Sequence, residues 1–498
     1  MTTDQNRISF NFDNSYAGSL EDFYVSWKGD KAPAPKMIKL NTVLAEELRL
    51  DPSLLDSETG AEIFSGSKAP EGANPLAQAY AGHQFGFFSS QLGDGRALLL
   101  GEVIDIHGNR KDIHLKGSGA TPFSRGGDGK AALGPVLREY LLGEAMHALG
   151  IPTTRALAAV TTGQDVIRET ILPGAVFTRV AASHIRVGTF QFFAARRETE
   201  KSRQLADYTI ARHYPHLKDA ENPYLSFFEA VLDKQAALIA RWMHVGFVHG
   251  VMNTDNMTIS GETIDYGPCA FIDNYNPDAL FSSIDEHGRY AYKNQPVIAK
   301  WNLSRFAESL LPLIDDNDEA AVEKAKNVIA TFPEIYTAYW LDGMRTRLGL
   351  STQEDGDLEL ANDLLSSMEN QNVDYTLLFR SLAKAVNGKP EEAVSLFDDP
   401  SAFKSWLPRW QLRYEKEDSS TPNPFNRAKA MNKVNPLYIP RNHKVEEALT
   451  AAVSNGDYSK FETLLEVLEH PYDEIPGREE FVSPPPDDLG PYKTFCGT

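Results

Sequence analysis

The alternation of apolar and polar positions near the start of the chain predicts a β-sheet followed by one long helix. Residues 97–105 and 111–116 are strand-like runs on either side of a His-Gly-Asn-Arg turn, which is the pattern of a β-hairpin. Apolar side chains then recur every four residues within 131–149, which indicates an amphipathic helix that Gly150 ends.

Further along, the pattern changes from strands to helices. Two more strand-like stretches, 155–161 and 175–180, are predicted with a Thr-Gly-Gln-Asp turn at 162–165 between them. Residues 224–243 form one long apolar helical pattern, and 244–273 is predicted as a loop and hairpin. Strands first and helices afterwards suit a two-lobed α+β enzyme with a cleft between its lobes.

Helical patterns dominate the rest of the chain until a Pro-rich, acidic end. They are predicted at 319–348, 358–386 and 444–468. We therefore expect three regions. Residues 1–190 form a sheet-containing lobe with an N-terminal extension, and residues 191–415 form a helical lobe with the catalytic loop and the metal site. Residues 416–498 form a helical extension with a Pro-rich tail.

Composition narrows the class of protein. The chain has 498 residues, 42% hydrophobic and 24% charged, as in ordinary soluble proteins. Its net charge of -20 opposes non-specific binding to nucleic acid or to an anionic membrane. No apolar run reaches the roughly 20 residues that span a bilayer, and the first residues lack the features of a signal peptide. We expect a cytoplasmic protein, with a monomer as the default state.

Two features of the first region suit a bound phosphate. Gly93 and Gly95 flank an aspartate just before a strand, and glycines let backbone N–H groups approach a phosphate closely. Lys116 ends a strand and Glu139 follows on the next helix, the arrangement by which kinases hold a phosphate-binding ammonium. The sequence is equally compatible with an ordinary turn at the glycines and with a lysine and a glutamate that are both solvated surface charges.

Cationic residues recur around the same strands. A Gly-rich loop with Asp128 and Gly129 leads into a helix N-terminus, where an anion is favoured. Arg179 and Arg186 flank the next strand-to-helix transition, and Arg96 follows the first glycine turn. In a chain this acidic, a cationic pocket would be a purposeful feature, although the sequence alone does not show that these side chains converge.

The stretch from residue 249 to residue 267 is the most informative part of the chain. A catalytic loop, a hairpin and an Asp-aromatic-Gly triplet follow one another, as in kinase-fold enzymes. Asn256 and Asp265, nine residues apart, offer the oxygen ligands that Mg²⁺ prefers. Asp255 can accept a proton from an attacking hydroxyl. Val251 stands where small-molecule kinases of this fold carry an acid, which argues against an ordinary kinase mechanism.

Long motifs in this chain resemble the selenoprotein O family. They lie at 79–96, 114–130, 177–188, 249–269 and 435–442. The resemblance covers nearly the whole chain and implies an atypical protein-kinase-like fold, once classed as that of a pseudokinase. It also implies protein adenylylation: the transfer of AMP from ATP to a Ser, Thr or Tyr hydroxyl of another protein, with release of pyrophosphate.

The resemblance also implies roles for the residues at matching positions. Lys116 and Glu139 would form an ion pair, and Asp255 would accept the proton. Asn256 and Asp265 would hold Mg²⁺, or Mn²⁺ in its place. ATP would bind in a flipped orientation, with its β- and γ-phosphates in the inner pocket. The residues that would bind ATP are Gly93, Gly95, Arg96, Lys116, Asp128, Gly129, Arg179, Arg186 and Asp265.

Three alternatives stay open on the residues. One is UMP transfer with Mn²⁺, one is ordinary protein phosphorylation, and one is an inactive pseudokinase scaffold. A scaffold has no need of the lysine, glutamate, two aspartates and asparagine together, which weighs against the third alternative.

The two cysteines, Cys269 and Cys496, suggest a further hypothesis. Cys269 follows Asp265 by four residues, and Cys496 is the third residue from the end of the sequence, where family members can carry selenocysteine. A thiol near the end of the Pro-rich tail suits redox chemistry. A reversible disulfide would hold the tail over the active site; one inert and one exposed thiol is the equally open alternative.

Overall fold

The computed structural model describes residues 8–417, 424–490 and 492–494. Its strands are β1 (Tyr24–Ser26), β2 (Lys36–Leu40), β3 (Leu76–Gln78), β4 (Gly82–Gln84), β5 (Phe87–Ser89), β6 (Ala97–Ile104), β7 (Arg110–Lys116), β8 (Ala131–Ala132), β9 (Arg155–Ile167), β10 (Ile171–Ala181), β11 (Phe247–Val248) and β12 (Ala270–Phe271). All but four of these strands join one large sheet, in the order β1-β3-β6-β7-β10-β9-β2, with β8 paired to β10. Two small sheets, β4-β5 and β11-β12, account for the remaining strands.

Helices flank the sheet and build the second half of the molecule. They are α1 (Ser15–Ser19), α2 (Thr42–Glu47), α3 (Pro52–Leu55), α4 (Glu58–Phe64), α5 (Leu133–Ala148), α6 (Val187–Ala194), α7 (Thr199–His213), α8 (Pro223–Val245), α9 (Gln295–Ile314), α10 (Asp318–Arg347), α11 (Asp357–Met368), α12 (Tyr375–Val386), α13 (Glu391–Ser395), α14 (Ser401–Glu415), α15 (Pro424–Asn432), α16 (Asn442–Asn455) and α17 (Ser459–Leu468). The architecture is therefore mixed, with a sheet-containing N-terminal part and a helical C-terminal part, as the sequence predicts.

The two faces of the large sheet pack against different cores. Val176 and Val180 of β10 join a core with helices α2 to α4. Ala175 and Phe177, which alternate with them, join the main core, which includes α5 and continues through the helical part. Because successive side chains of a strand point to opposite faces, this alternation fixes which residues of β10 can reach the cleft.

The predicted hairpin and the predicted first helix are confirmed. Strands β6 and β7 pair antiparallel around the expected turn. Helix α5 begins at Leu133 rather than at 131, because Ala131 and Ala132 pair with β10 instead.

Other predicted boundaries are wrong. Residues 162–165 lie inside β9, and the turn falls at 168–170, where the Arg168 N–H donates to the carbonyl of Thr170 at 2.9 Å. Pairing of β9 with β10 carries the strand through the glycine, which has a positive φ of 71°. The predicted helical stretches 358–386 and 444–468 are each two helices separated by a short break.

Among the described residues, no helix is long and apolar enough to cross a membrane.

Candidate nucleotide-binding cleft

A cleft of about 1020 Å³ lies between the sheet and the helical part. Every site residue predicted from the sequence lines it: Gly93, Gly95, Arg96, Lys116, Asp128, Gly129, Glu139, Arg179, Arg186, Asp255, Asn256 and Asp265. Residues from both halves of the chain are therefore brought to one space.

Strand register places two of the cations in this cleft. Ile113 and Leu115 of β7 enter the core beneath α2 to α4, so the alternating residue Lys116 lies on the opposite face. In the neighbouring strand β10, Phe177 is opposite Lys116 and Arg179 is two residues further on. The same face of the sheet thus presents both Lys116 and Arg179.

Lys116, Arg179 and Arg186 surround the carboxylate of Asp265. The Lys116 Nζ atom donates to Glu139 Oε1 and, at 2.7 Å, to Asp265 Oδ1. Arg179 Nη1 donates to the same Oδ1 at 2.8 Å, and Arg186 Nη1 lies 4.0 Å from Oδ2. Burial alone would raise the pKa of Asp265, but these three cations outweigh it and hold the pKa well below its usual value.

Arg186 is buried and only partly satisfied. Its Nε donates to the carbonyl of His184 at 3.1 Å and its Nη1 to the carbonyl of Asp255 at 3.3 Å. The guanidinium stacks on Tyr80, with its carbon 4.4 Å from the ring centroid. Its Nη2 is buried and has no hydrogen-bond partner among the described residues. A buried N–H group without a partner is costly, so it suits an anion that enters the cleft.

Arg179 is held from behind by a buried histidine. Its Nε donates to His184 Nε2 at 3.1 Å, and His184 Nδ1 lies 2.9 Å from Asp112 Oδ2. Asp112 in turn accepts from Arg212 at 2.6 Å. The ring of His114 stacks on that of His184 at 4.1 Å between centroids. This buried chain of hydrogen bonds fixes the orientation of the Arg179 guanidinium.

Asp255 lies in a one-turn 3₁₀ helix, Thr254–Asn256, at the floor of the cleft. Its Oδ2 accepts from Gln84 Nε2 at 3.0 Å, while its Oδ1 is buried and has no hydrogen-bond partner in the part of the chain that the structure describes. Burial raises the pKa of Asp255 to about 6. A carboxylate with one unused oxygen and a pKa nearer neutrality is suited to accept a proton.

Asn256 and Asp265 line the same cleft as Asp255 and carry side-chain oxygen atoms. The amide nitrogen of Asn256 donates to the carbonyl of Val251 at 3.0 Å, which leaves its oxygen for a ligand. Asp265 has a positive φ of 65°, so the backbone bends sharply at this carboxylate. No group of three or more His, Cys, Asp or Glu residues suited to a metal occurs in the described part of the chain.

The glycines around the cleft are required by close packing. A Cβ atom on Gly93, which has a φ of 80°, would lie 2.4 Å from the ring of Phe123. One on Gly129 would lie 2.1 Å from the carbonyl oxygen of Gly119. The Gly95 N–H donates to the Gly93 carbonyl at 2.8 Å. The glycines therefore bring the loops together around the cleft.

Asp128 and Arg96, two charged residues in the loops around the cleft, differ in their ion pairing. Asp128 forms an ion pair with Arg168 at 2.9 Å, so its charge is compensated within the loop region. Arg96 forms no ion pair within the described residues and lines the cleft directly. Arg96 is thus available to a bound anion, whereas Asp128 is held by Arg168.

Sequence reasoning missed Gln84 and the residues that support Arg179. Gln84 lies 171 residues from Asp255, and His184 lies 72 residues from Asp112. Neither pair forms a local motif, so no spacing signal points to it. Only the tertiary structure reveals these contacts.

The last described residues close one side of the cleft. Tyr492 donates to Glu446 at 2.6 Å and accepts from Arg138 at 3.2 Å. Thr494 donates to the carbonyl of Pro268 at 2.7 Å. Cys269, the next residue, is fully buried, and burial raises the pKa of its thiol to about 12. Cys496 lies outside the described residues, so the disulfide hypothesis stays a prediction.

These features define an α+β protein with a cationic cleft that suits a polyphosphate beside a buried carboxyl group whose pKa is raised. The chain belongs to the SelO family: the family model described as "Protein adenylyltransferase SelO" matches residues 6–469. The resemblance found in the sequence is thereby confirmed.

Curated relatives cover the full length of the chain. A protein of Cereibacter sphaeroides (strain KD131), named "Protein nucleotidyltransferase YdiU", is 60% identical over 493 residues, which cover 99% of this chain and all of the relative. Proteins with the same name from Rhizobium leguminosarum bv. trifolii and Rhizobium meliloti are 59% and 58% identical, covering 100% and 98% of this chain and 99% and 100% of the relatives.

Proposed function

We propose that this protein moves AMP from ATP onto a hydroxyl group of a protein substrate and releases pyrophosphate. The observation that carries the proposal is the meeting of Lys116, Arg179 and Arg186 around Asp265, next to the buried Asp255. Membership of a family described as protein adenylyltransferases supports the same activity. So does the name of the relatives as protein nucleotidyltransferases.

The arginines and Lys116 would grip the distal phosphates of a flipped ATP. Arginine presents a planar fork that holds phosphate oxygens in two places. The unpartnered Nη2 of Arg186 and the unpaired guanidinium of Arg96 are the N–H groups left for this task. With the β- and γ-phosphates held there, the α-phosphorus is left open to the acceptor hydroxyl. Pyrophosphate leaves with its charge already compensated.

Asp255 would act as the proton acceptor. As the acceptor oxygen bonds to the α-phosphorus, its proton passes to Asp255 Oδ1, which has no hydrogen-bond partner. The bond from that phosphorus to the bridging oxygen of the β-phosphate breaks, and pyrophosphate takes the electron pair. Gln84 holds the other carboxylate oxygen, so it acts as a positioning residue for Asp255.

Asn256 and Asp265 would hold Mg²⁺, and the amide oxygen of the one and the carboxylate of the other are the ligand types that fit that role. The nitrogen of the Asn256 amide is already used, which leaves its oxygen, and Asp265 supplies a carboxylate. One amide and one carboxylate oxygen, completed by phosphate and water, are a set that Mg²⁺ accepts. Mn²⁺ takes similar ligands. When bound, the ion would neutralise phosphate charge. Lys116 and Arg179 both donate to Asp265 in this structure, and they would donate to the phosphates once the ion is bound.

Several finer points belong to the same proposal. The fold is taken as an atypical protein-kinase-like one, with lobes at 1–190 and 191–415 and an extension at 416–498. Gly93, Gly95, Asp128 and Gly129 are taken as part of the ATP site. The acceptors are Ser, Thr and Tyr side chains, and the protein acts as a cytoplasmic monomer.

Labelled ATP separates the candidate activities. The protein is incubated with Mg²⁺ and ATP labelled on either the α- or the γ-phosphate, and label bound to protein is measured. Transfer from the α-position alone supports AMP transfer, and transfer from the γ-position alone would establish a kinase instead. UTP with Mn²⁺ tests UMP transfer. Absence of label from every nucleotide would leave only the scaffold.

A further inference from the structure

An aromatic surface borders the cleft on the β4-β5 hairpin. Gln84 of the inner strand β4 donates to Asp255, so the hairpin lies directly beside the proposed proton acceptor. The outer strand β5 carries Phe87 and Phe88, which are 82% and 42% exposed. Large exposed aromatic side chains grouped beside a catalytic group are typical of a contact surface.

His83 joins this hairpin to helix α9. Its ring centroid lies 4.9 Å from that of Phe88 and 5.3 Å from that of Trp301. The guanidinium carbon of Arg289 lies 4.6 Å from the centroid of Trp301. These contacts link Phe88, Trp301 and Arg289 through His83, and Phe87 precedes Phe88 on β5; we call the group Phe87, Phe88, Trp301 and Arg289 the aromatic lip.

Arg289 contributes a positive charge to the lip, and no carboxylate of the described residues pairs with it. The residue forms no ion pair within the described parts of the chain. The guanidinium carbon of Arg305 also lies near Trp301, 5.2 Å from its ring centroid. Arg305, however, forms an ion pair with Glu308, with 2.7 Å between Nη2 and Oε1. Of the two acids in its own loop, Asp285 accepts the backbone N–H of Arg289 at 3.0 Å, and among the described residues neither Asp285 nor Glu286 forms an ion pair with the Arg289 guanidinium. In a chain of net charge -20, an unpaired cation at this place favours an acidic partner.

Arg289 is also tied to the catalytic loop. The hydroxyl of the next residue, Tyr290, donates to Asn253 Oδ1 at 2.6 Å. The same Asn253 oxygen accepts the N–H of Phe85, in the hairpin turn, at 3.1 Å. Asn253 thus connects the Arg289 loop, the hairpin and the segment that carries Asp255. The lip residues themselves do not line the cleft, but Gln84 and Phe85 of the same hairpin do, so the lip adjoins the space in which a hydroxyl would reach Asp255.

We infer that the aromatic lip docks the acceptor segment of the protein substrate and selects a segment with an acidic residue beside the acceptor hydroxyl. This inference rests on the proposed AMP transfer and adds a substrate class to it. Phe87 and Phe88 contact apolar parts of the segment. Arg289 pairs with its carboxylate and repels a lysine at the same position.

Synthetic peptides test the inference. Each contains one Ser, Thr or Tyr acceptor flanked by Glu, Gln or Lys, and AMP incorporation from α-labelled ATP is measured as kcat/KM. Wild type is expected to prefer Glu over Lys by about tenfold, a difference typical of one well-placed charge pair. Arg289→Glu reverses this preference, and Arg289→Gln removes it. Phe87→Ser raises the KM for every peptide, while the KM for ATP stays at its wild-type value in each variant.

Arg305→Gln is the matched control, because Arg305 stacks on the same tryptophan but is already neutralised by Glu308. It is expected to keep the Glu preference. An unchanged Glu preference in Arg289→Glu overturns the inference, as does labelling of wild type itself without labelling of any peptide. Absence of AMP incorporation into both peptides and protein would instead refute the proposed function.

Discussion

The replacement His184→Phe tests whether the buried histidine orients Arg179. Phenylalanine keeps the ring and its stacking on His114 but removes both ring nitrogens. Arg179 Nε then loses its acceptor at 3.1 Å, and Asp112 loses one of its two side-chain partners, keeping Arg212 at 2.6 Å. The change leaves the cleft lining intact, because His184 itself does not line it.

The expected size of the effect follows from the lost bond. A hydrogen bond to a charged group contributes about 1.5–3 kcal/mol. If that energy is what holds the guanidinium in place for the phosphates, kcat/KM for ATP falls about 10- to 150-fold. The free energy of unfolding falls by about 1–3 kcal/mol as well, because buried polar atoms lose partners.

Steady-state AMP incorporation at varied ATP, together with urea unfolding, measures both effects. His213→Phe is the matched control: His213 is partly buried, its ring nitrogen lies 2.8 Å from the Ser183 hydroxyl, and it does not line the cleft. It should lower stability and leave the KM for ATP unchanged. His184→Gln, which can still accept from Arg179, should recover part of the activity. Normal ATP kinetics in a destabilised His184→Phe would refute the orienting role.

Other predictions concern the cleft and the pH dependence of stability. Asp265→Ala should abolish transfer, because it removes a proposed metal ligand, and Lys116→Met should nearly do so; full labelling activity in either contradicts the site. Asp255→Asn keeps the shape of the side chain but not its basicity, so kcat should fall about 10²- to 10⁴-fold while ATP binding measured by calorimetry persists. Burial lowers the pKa of His244 to about 3, so below about pH 6.5 the unfolded chain takes up a proton that the folded chain does not. The free energy of unfolding should therefore fall by up to about 1.4 kcal/mol per pH unit as the pH is lowered from about 6.5 to 3. Urea unfolding at pH 7 and at pH 5 measures this loss. His244→Gln should show a smaller loss between the two pH values, because it lacks the titrating group.

The sequence predicted the elements whose signals are local. The β6-β7 hairpin and helix α5 follow from side-chain periodicity and a glycine stop. The spacing of Asn256 and Asp265 is also a local signal, and it predicted the residues that the helical part contributes to the cleft. The turn expected at 162–165 failed because pairing with β10 outweighs the preference of Thr-Gly-Gln-Asp for a turn. Tertiary pairing routinely overrides such local preferences.

The supporting contacts of the cleft could not be predicted from spacing. Gln84 reaches Asp255 across 171 residues, and Arg138 reaches Tyr492 across 354. Such contacts depend on how the sheet, the helical part and the last residues pack together. Long motifs shared with the family pointed to the proposed ATP-binding residues, but they did not single out the groups that hold those residues in place.

The antiparallel alignment of β7 with β10 makes catalytic activity a reporter of correct refolding. If β7 were shifted by one residue, Leu115 would enter the cleft and the Lys116 ammonium would be buried among aliphatic side chains. A sample refolded from denaturant could regain its helical circular dichroism with the strand displaced in this way. Recovered turnover, and not recovered helix content, therefore measures how much of the protein has returned to its native alignment.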